Sequence, residues 1–184
     1  NLANLTSGVV RATSVSSGVG RGVVVKVGAI NFDQLPYMPE AKPLAQEQAA
    51  LKSGVAHLAK SIEVQAKTSV DTESEVLAAH LSILNDEEFA KQLNTNLVEG
   101  RSSAQSVIAT AKHYAEQLQK SSSQYLRERE LDIRDVCFQL LQTIYGDEHY
   151  TSQLALTDAS ICMAEDLTPS QFLELDKALL KGLV

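Results

Sequence analysis

The 184-residue chain has only two cysteines, Cys137 and Cys162. Two are too few for a disulfide scaffold. They fall in an expected helix and an expected strand, which reads as small buried side chains rather than a metal cage. No apolar run is long enough to span a bilayer. The amino terminus has no basic region followed by an apolar stretch and a cleavage site, so a cytoplasmic location without membrane insertion is expected. Clustered Lys and Arg are also missing: 16 basic residues face 23 acidic ones, a net charge of −7. Phosphate binding needs such clusters, so nucleic acid is not the expected partner and a basic protein surface is. What is there, 44% hydrophobic and 21% charged residues, suits a globular protein with a substantial core.

Residues 1–16 are rich in Ser, Thr, Asn and Ala, begin without Met and carry no helical stripe, so they read as a linker or leader. Asn4-Leu5-Thr6 matches a glycosylation acceptor and, without a secretory signal, carries no weight. The glycines of Gly18-Val19-Gly20-Arg21-Gly22 precede Val23-Val24-Val25-Lys26-Val27, whose β-branched residues predict a buried strand. Their spacing is neither that of a P-loop nor that of a dinucleotide fingerprint, so they read as a structural turn.

After Pro36, Pro39 and Pro43, the spacing of Leu44, Leu51, Val55, Leu58, Ile62 and Val64 predicts a first helix through about Thr68, weakened locally at Gly54. A second helix runs from about Thr72 to Leu84, breaks at Asn85-Asp86 and continues to Leu97. A third runs from Ser102 or Ser103 to about Ser122, and a fourth from about Ser123 to Tyr145, stopping at Gly146. Short connections imply antiparallel packing in a four-helix bundle. Beyond it, Ser160-Ile161-Cys162-Met163-Ala164 reads as a strand, Thr168 caps a helical turn with Pro169 in its first position, and Lys181-Gly182-Leu183-Val184 opens another strand.

The most informative stretch is Val76 to Phe89. It sets His80 on an apolar helix, then restarts the helix with Asn85 or Asp86 as cap and Glu87 and Glu88 at the positive end of the dipole. The result is an acidic shoulder. From Gln124 to Asp135, alternating charges lace another helix. Arg127, Glu128, Arg129, Asp132, Arg134 and Asp135 read as a solvated face held by pairs three and four residues apart. Glu73, Glu75, Glu87, Glu88 and His80 do not make a dimetal site, because no Glu-x-x-His pair occurs on two helices. No metal site is expected.

These two stretches, with Ala164-Glu165-Asp166-Leu167-Thr168-Pro169-Ser170, resemble the amino-terminal domain of enzyme I of the bacterial phosphoenolpyruvate-dependent sugar phosphotransferase system, from about residue 16 onward. The resemblance implies an α+β fold: a helical bundle, residues 42–146, inserted into a partial mixed α/β subdomain, residues 17–41 and 147–184. It also implies phosphoryl transfer from phosphoenolpyruvate to an enzyme histidine and on to the carrier HPr. The family's acceptor lies in a Gly-Gly-x-x-Ser/Thr-His segment. None of His57, His80, His113 and His149 follows a Gly-Gly pair, so none is assigned that role. The expected fragment is inactive alone, with no cofactor of its own and with Mg2+ and phosphoenolpyruvate bound by a further domain of the intact enzyme. The pattern places Asp71, Thr72, His80, Ile83, Glu87, Glu88, Leu118 and Arg129 on the HPr-docking face. It departs at Ala78, where an acid is frequent, and at Ser82, where a larger apolar residue is. The resemblance covers this domain either free-standing or within a multiphosphoryl transfer protein, and the alternatives are a regulatory or dihydroxyacetone-type phosphotransfer protein sharing the domain. From a different class, the chain could be a helical scaffold or dimerisation module.

Overall fold

The computed structural model describes residues 16–69, 71–118, 123–151, 155–164 and 167–184, with the backbone alone at 71–72 and 124–127. Almost all of the expected leader lies outside the described residues, as do the expected end of the third helix at Ser122 and the pair Glu165-Asp166. Strand β1 spans Val23–Val27, followed by α1 Leu44–Ala66, α2 Asp71–Leu84, α3 Glu87–Val98, α4 Ser103–Leu118 and α5 Gln124–Tyr145. Then come β2 Ser160–Ala164, α6 Pro169–Glu174 and β3 Leu180–Leu183. This is the α+β architecture expected, and the break at Asn85-Asp86 is complete enough to make α2 and α3 separate helices.

The strands form one sheet in the order β1-β2-β3, and both pairings are parallel. Val23 pairs with Ser160 and Val27 with Ala164, while the β2–β3 register shifts between Ser160 and Ile161. Parallel neighbours need a crossover of a dozen residues or more. Here five helices lie in the crossover between β1 and β2. The glycines before β1 are structural: a Cβ on Gly22 would come within 2.4 Å of the Ala159 carbonyl oxygen, so only glycine lets the chain enter the sheet there.

Leu51, Leu58, Ile62, Leu77, Ile83, Phe89, Leu93, Val107, Val136, Leu140 and Leu141 join α1–α5 in one core, to which Phe32 and Tyr150 of the connecting segments also belong. A second, smaller cluster under the sheet contains Val27, Cys162 and Leu175. Cys137 and Cys162 are buried in separate cores as free thiols, as their positions implied. Gly54, expected only to weaken α1, has a packing reason. A Cβ there would meet Ile144 Cγ1 at 2.5 Å, so its absence sets how closely α1 approaches α5.

Polar side chains fix the helix ends. Glu47, buried in the first turn of α1, accepts hydrogen bonds from the Lys42 amide at 2.8 Å and the Ser103 amide at 2.8 Å, and also from the Ser103 hydroxyl. One carboxylate therefore satisfies an orphan donor at the start of α4 and ties it to the segment that leads into α1. Burial works to raise its pKa, but the Ser103 hydroxyl and the Lys42 and Ser103 amides outweigh that and hold it below the usual carboxylate value. Thr168 caps α6 through a capping box with Gln171, with Pro169 following it.

Candidate docking site

A groove of about 180 Å3 opens where the end of α2, the start of α3, the last turns of α4 and the first half of α5 converge. Ile83, Asp86, Phe89, Tyr114, Gln117, Leu118, Arg129 and Ile133 line it. The α2–α3 break builds one wall. Asp86 caps α3 by accepting the Phe89 amide at 2.8 Å, which turns the Phe89 ring into the core and leaves Glu87 and Glu88 exposed in the first turn. Their charges lie at the favourable end of the helix dipole. Lys91 Nζ, 3.3 Å from Glu88 Oε1, offsets part of the acidity through an exposed pair worth only about 0.2–0.5 kcal/mol.

Of the residues expected on the docking face, Leu118 and Arg129 line this groove half-buried, and Glu87 and Glu88 follow its Asp86. Ile83 forms its floor at only 2% exposure and so is corrected to a core residue. The side chains of Asp71 and Thr72 lie outside the described residues. His80 is a correction. Its ring is 1% exposed and turns inward to α5, so it is not on the surface a partner would touch. The groove residues not anticipated are Asp86 as a wall residue, Phe89, Tyr114, Gln117 and Ile133. Of these, Tyr114 was open to discovery, since it stands four residues before Leu118 and so shares its helix face.

His80 belongs to a buried polar junction between the helical body and α6. Its Nε2 lies 3.5 Å from Asp135 Oδ2 and 3.9 Å from Asp132 Oδ1, and its Nδ1 lies 3.4 Å from Gln139 Nε2. Asp135 accepts the Ser170 amide at 2.8 Å and the Thr168 hydroxyl at 3.2 Å, while Gln139 donates to Ser170 Oγ at 2.6 Å. The expected solvated face is therefore corrected at Asp135, which is fully buried, and Glu130 beside it is buried too, bonded to Arg134 at 2.6 Å. Asp132, Asp135 and Gln139, at i, i+3 and i+7, form a polar stripe turned toward α2 and α6. Burial lowers the His80 pKa, opposed by the charge of Asp132 and aided by that of Arg129. Burial raises Asp135 to about 6 against the hydrogen bonds from Ser170, Thr168 and Gln139. Both shifts favour the uncharged forms, as desolvation requires.

Beside this junction lies a cleft of about 650 Å3 whose lining includes His57, Glu73, His80, Gln139, Asp147, Ser170 and Glu174. It contains acids and neutral polar groups but no Lys or Arg among the described residues. Such a lining offers little to a free anion.

Residues 11–129 match the family model described as "PEP-utilising enzyme, N-terminal". The chain belongs to this family. Over its full length it is 42% identical to multiphosphoryl transfer protein 2 of Escherichia coli (strain K12), of which it spans 22%. It is 25% identical over 173 residues to a phosphoenolpyruvate-protein phosphotransferase of Mycoplasma capricolum, covering 93% of this chain and 30% of that protein. A solved structure described as the N-terminal domain of "Enzyme 1 - Nitrogen" superposes with a TM-score of 0.60 at 19% identity, covering 88% of this chain and 67% of its own. An enzyme I solution structure gives the same TM-score at 20% identity, covering 91% and 69%. Family membership and the enzyme I amino-terminal fold are thus shared, and no helix among the described residues is long and apolar enough to cross a membrane.

Proposed function

We propose that this chain is the carrier-docking part of an enzyme I-type phosphoenolpyruvate-protein phosphotransferase, and that HPr or an HPr-like carrier domain seats on the groove between α2, α3, α4 and α5. The observation that carries this reading is the meeting of the half-buried Tyr114, Leu118 and Arg129 in one groove beside the exposed acids Glu87 and Glu88. An apolar patch rimmed by acid suits a basic partner. The charges steer encounter and the apolar centre sets lifetime. Arg129 adds a cation at the opposite wall, which fixes the orientation a partner must adopt.

In this reading the histidine that carries phosphate lies in another part of the intact protein, as does the site for phosphoenolpyruvate and Mg2+. Among the described residues no three His, Cys, Asp or Glu side chains are grouped to hold a metal ion. Phosphoryl transfer depends on a positioned nucleophile. The residues of this chain contribute position instead: they bring a carrier to a fixed surface, and the Asp135–Thr168–Ser170 contacts hold that surface against the sheet lobe. The chain alone is expected to have no phosphotransferase activity.

Titration of the chain with purified HPr, followed by NMR shifts at two salt concentrations, tests the proposal. Saturable binding that maps to the ends of α2 and α4 and the start of α3, and weakens with salt, is the expected result. No binding by a chain shown to be folded would overturn it. Self-association without HPr binding would favour the scaffold reading instead.

A further inference from the structure

The groove offers a partner less apolar surface than its lining suggests. Ile83, Phe89 and Ile133 form its floor and are between 2% and 5% exposed, so they are already committed to the core. On α2, the exposed residues nearby in sequence are Ala78 and Ser82, which are too small to anchor anything. The apolar surface that remains comes from Tyr114 and Leu118, both half-buried and one turn apart on the same face of α4.

Tyr114 is held in place. Its ring packs at 6.2 Å, tilted by 34°, on Phe89, and edge-on at 5.5 Å to His113. A ring fixed before binding gives a large contact area for little lost freedom. Burial first, and then the charges of Asp86 and Glu88, raise its phenol pKa, so its hydroxyl remains a neutral donor at the acidic edge of the groove.

We infer that Tyr114 is the main anchor of this surface. The partner it selects presents an aliphatic side chain that seats between Tyr114 and Leu118, next to a basic side chain that faces Asp86, Glu87 and Glu88. The inference rests on the docking reading above and adds its specificity-determining residue. Aromatic anchors at the centre of an interface carry much of its energy, whereas rim charges mainly set rate and selectivity.

The test is calorimetric titration of purified HPr into the wild-type chain and into Tyr114→Ala, Tyr114→Gln and Tyr114→Phe, with Glu116→Ala as an exposed control on α4. Thermal unfolding checks each fold. Tyr114→Ala is expected to weaken binding tenfold or more, Tyr114→Phe by less than threefold, and Glu116→Ala not measurably. If Tyr114→Ala does not fold, Tyr114→Gln, which keeps a stem over Phe89, is expected to show the same loss. Wild-type binding left unchanged in the folded Ala or Gln variant overturns this inference alone. Absence of HPr binding by the wild-type chain overturns the docking reading and this inference with it.

Discussion

Nε2 of His80 lies 3.5 Å from Oδ2 of Asp135, with both side chains buried. The contact joins α2 to α5, and through the Thr168 and Ser170 bonds to Asp135 it reaches α6. Three elements therefore meet on one carboxylate, and its protonation state affects how the helical body holds the sheet lobe.

Asp135 titrates at about 6 in the folded chain, above its usual value of 3.8. A carboxyl with a raised folded pKa contributes stability below its unfolded pKa and loses it as pH rises through the folded value. His80 runs the other way, being depressed: its contribution is present above 6.5 and is lost as pH falls. In Asp135→Asn the carboxyl titration is gone and His80 remains. The stability advantage of wild type over Asp135→Asn is thus expected to be larger at pH 4.5 than at pH 7.5, by about 2 kcal/mol. Urea unfolding of both proteins at the two pH values checks it, and a constant difference would be the contrary result.

Glu47 shows the opposite sign. Its pKa is held below 4.5, so the stability it contributes is present above that pH and is lost as pH falls through the lower folded value. Glu47→Gln removes the charge that serves the Ser103 and Lys42 donors and is expected to cost about 1–3 kcal/mol at pH 7. The gap from wild type should shrink below pH 4, as read from denaturant midpoints.

Gly54→Ala sets helix propensity against space. Alanine gains about 1 kcal/mol within a helix, yet its methyl would sit 2.5 Å from Ile144 Cγ1. Overpacking in a core costs about 1–3 kcal/mol, so net destabilisation is expected. Ile144→Ala in the same background, which removes both Cγ1 and Cδ1, should recover part of it, and the coupling is read from a double-mutant cycle in urea.

Reversing the acidic shoulder with Glu87→Lys and Glu88→Lys is expected to slow HPr association more than it speeds dissociation, and to flatten the salt dependence of the on-rate. Stopped-flow measurement at low and moderate salt separates the two rates. Asp86→Ala acts differently, since it removes the cap on Phe89 and should lower stability by about 1 kcal/mol.

Much of this architecture was legible because it is written locally. Apolar spacing marked α1, the Asn85-Asp86 break marked the α2–α3 corner, and Thr168-Pro169 marked α6. The acidic shoulder could be read for the same reason, as a charge pattern within one turn. The burial of Asp135 could not be read this way. A charged residue in a charged stretch looks solvated until a distant segment covers it, and the cover here comes from Thr168 and Ser170, far along the chain. Glu47 was missed for a related reason: its donors come mainly from the start of α4, which no local pattern links to α1.

The pairing of Val23 with Ser160 means that the helical body leaves the sheet on one strand and returns on its immediate neighbour. Adjacent strands lie only about 4.8 Å apart, so the chain's exit from the sheet and its return to it lie side by side, like the neck of a bag. The Asp135–Thr168–Ser170 contacts are a separate tie between body and sheet lobe. Closing such a long loop in an unfolded chain is entropically costly, and helices assembled from local contacts shorten it first. The neck should therefore tie last during folding and open first under stress. In hydrogen exchange, β1 amides are expected to lose protection before those of α4 and α5.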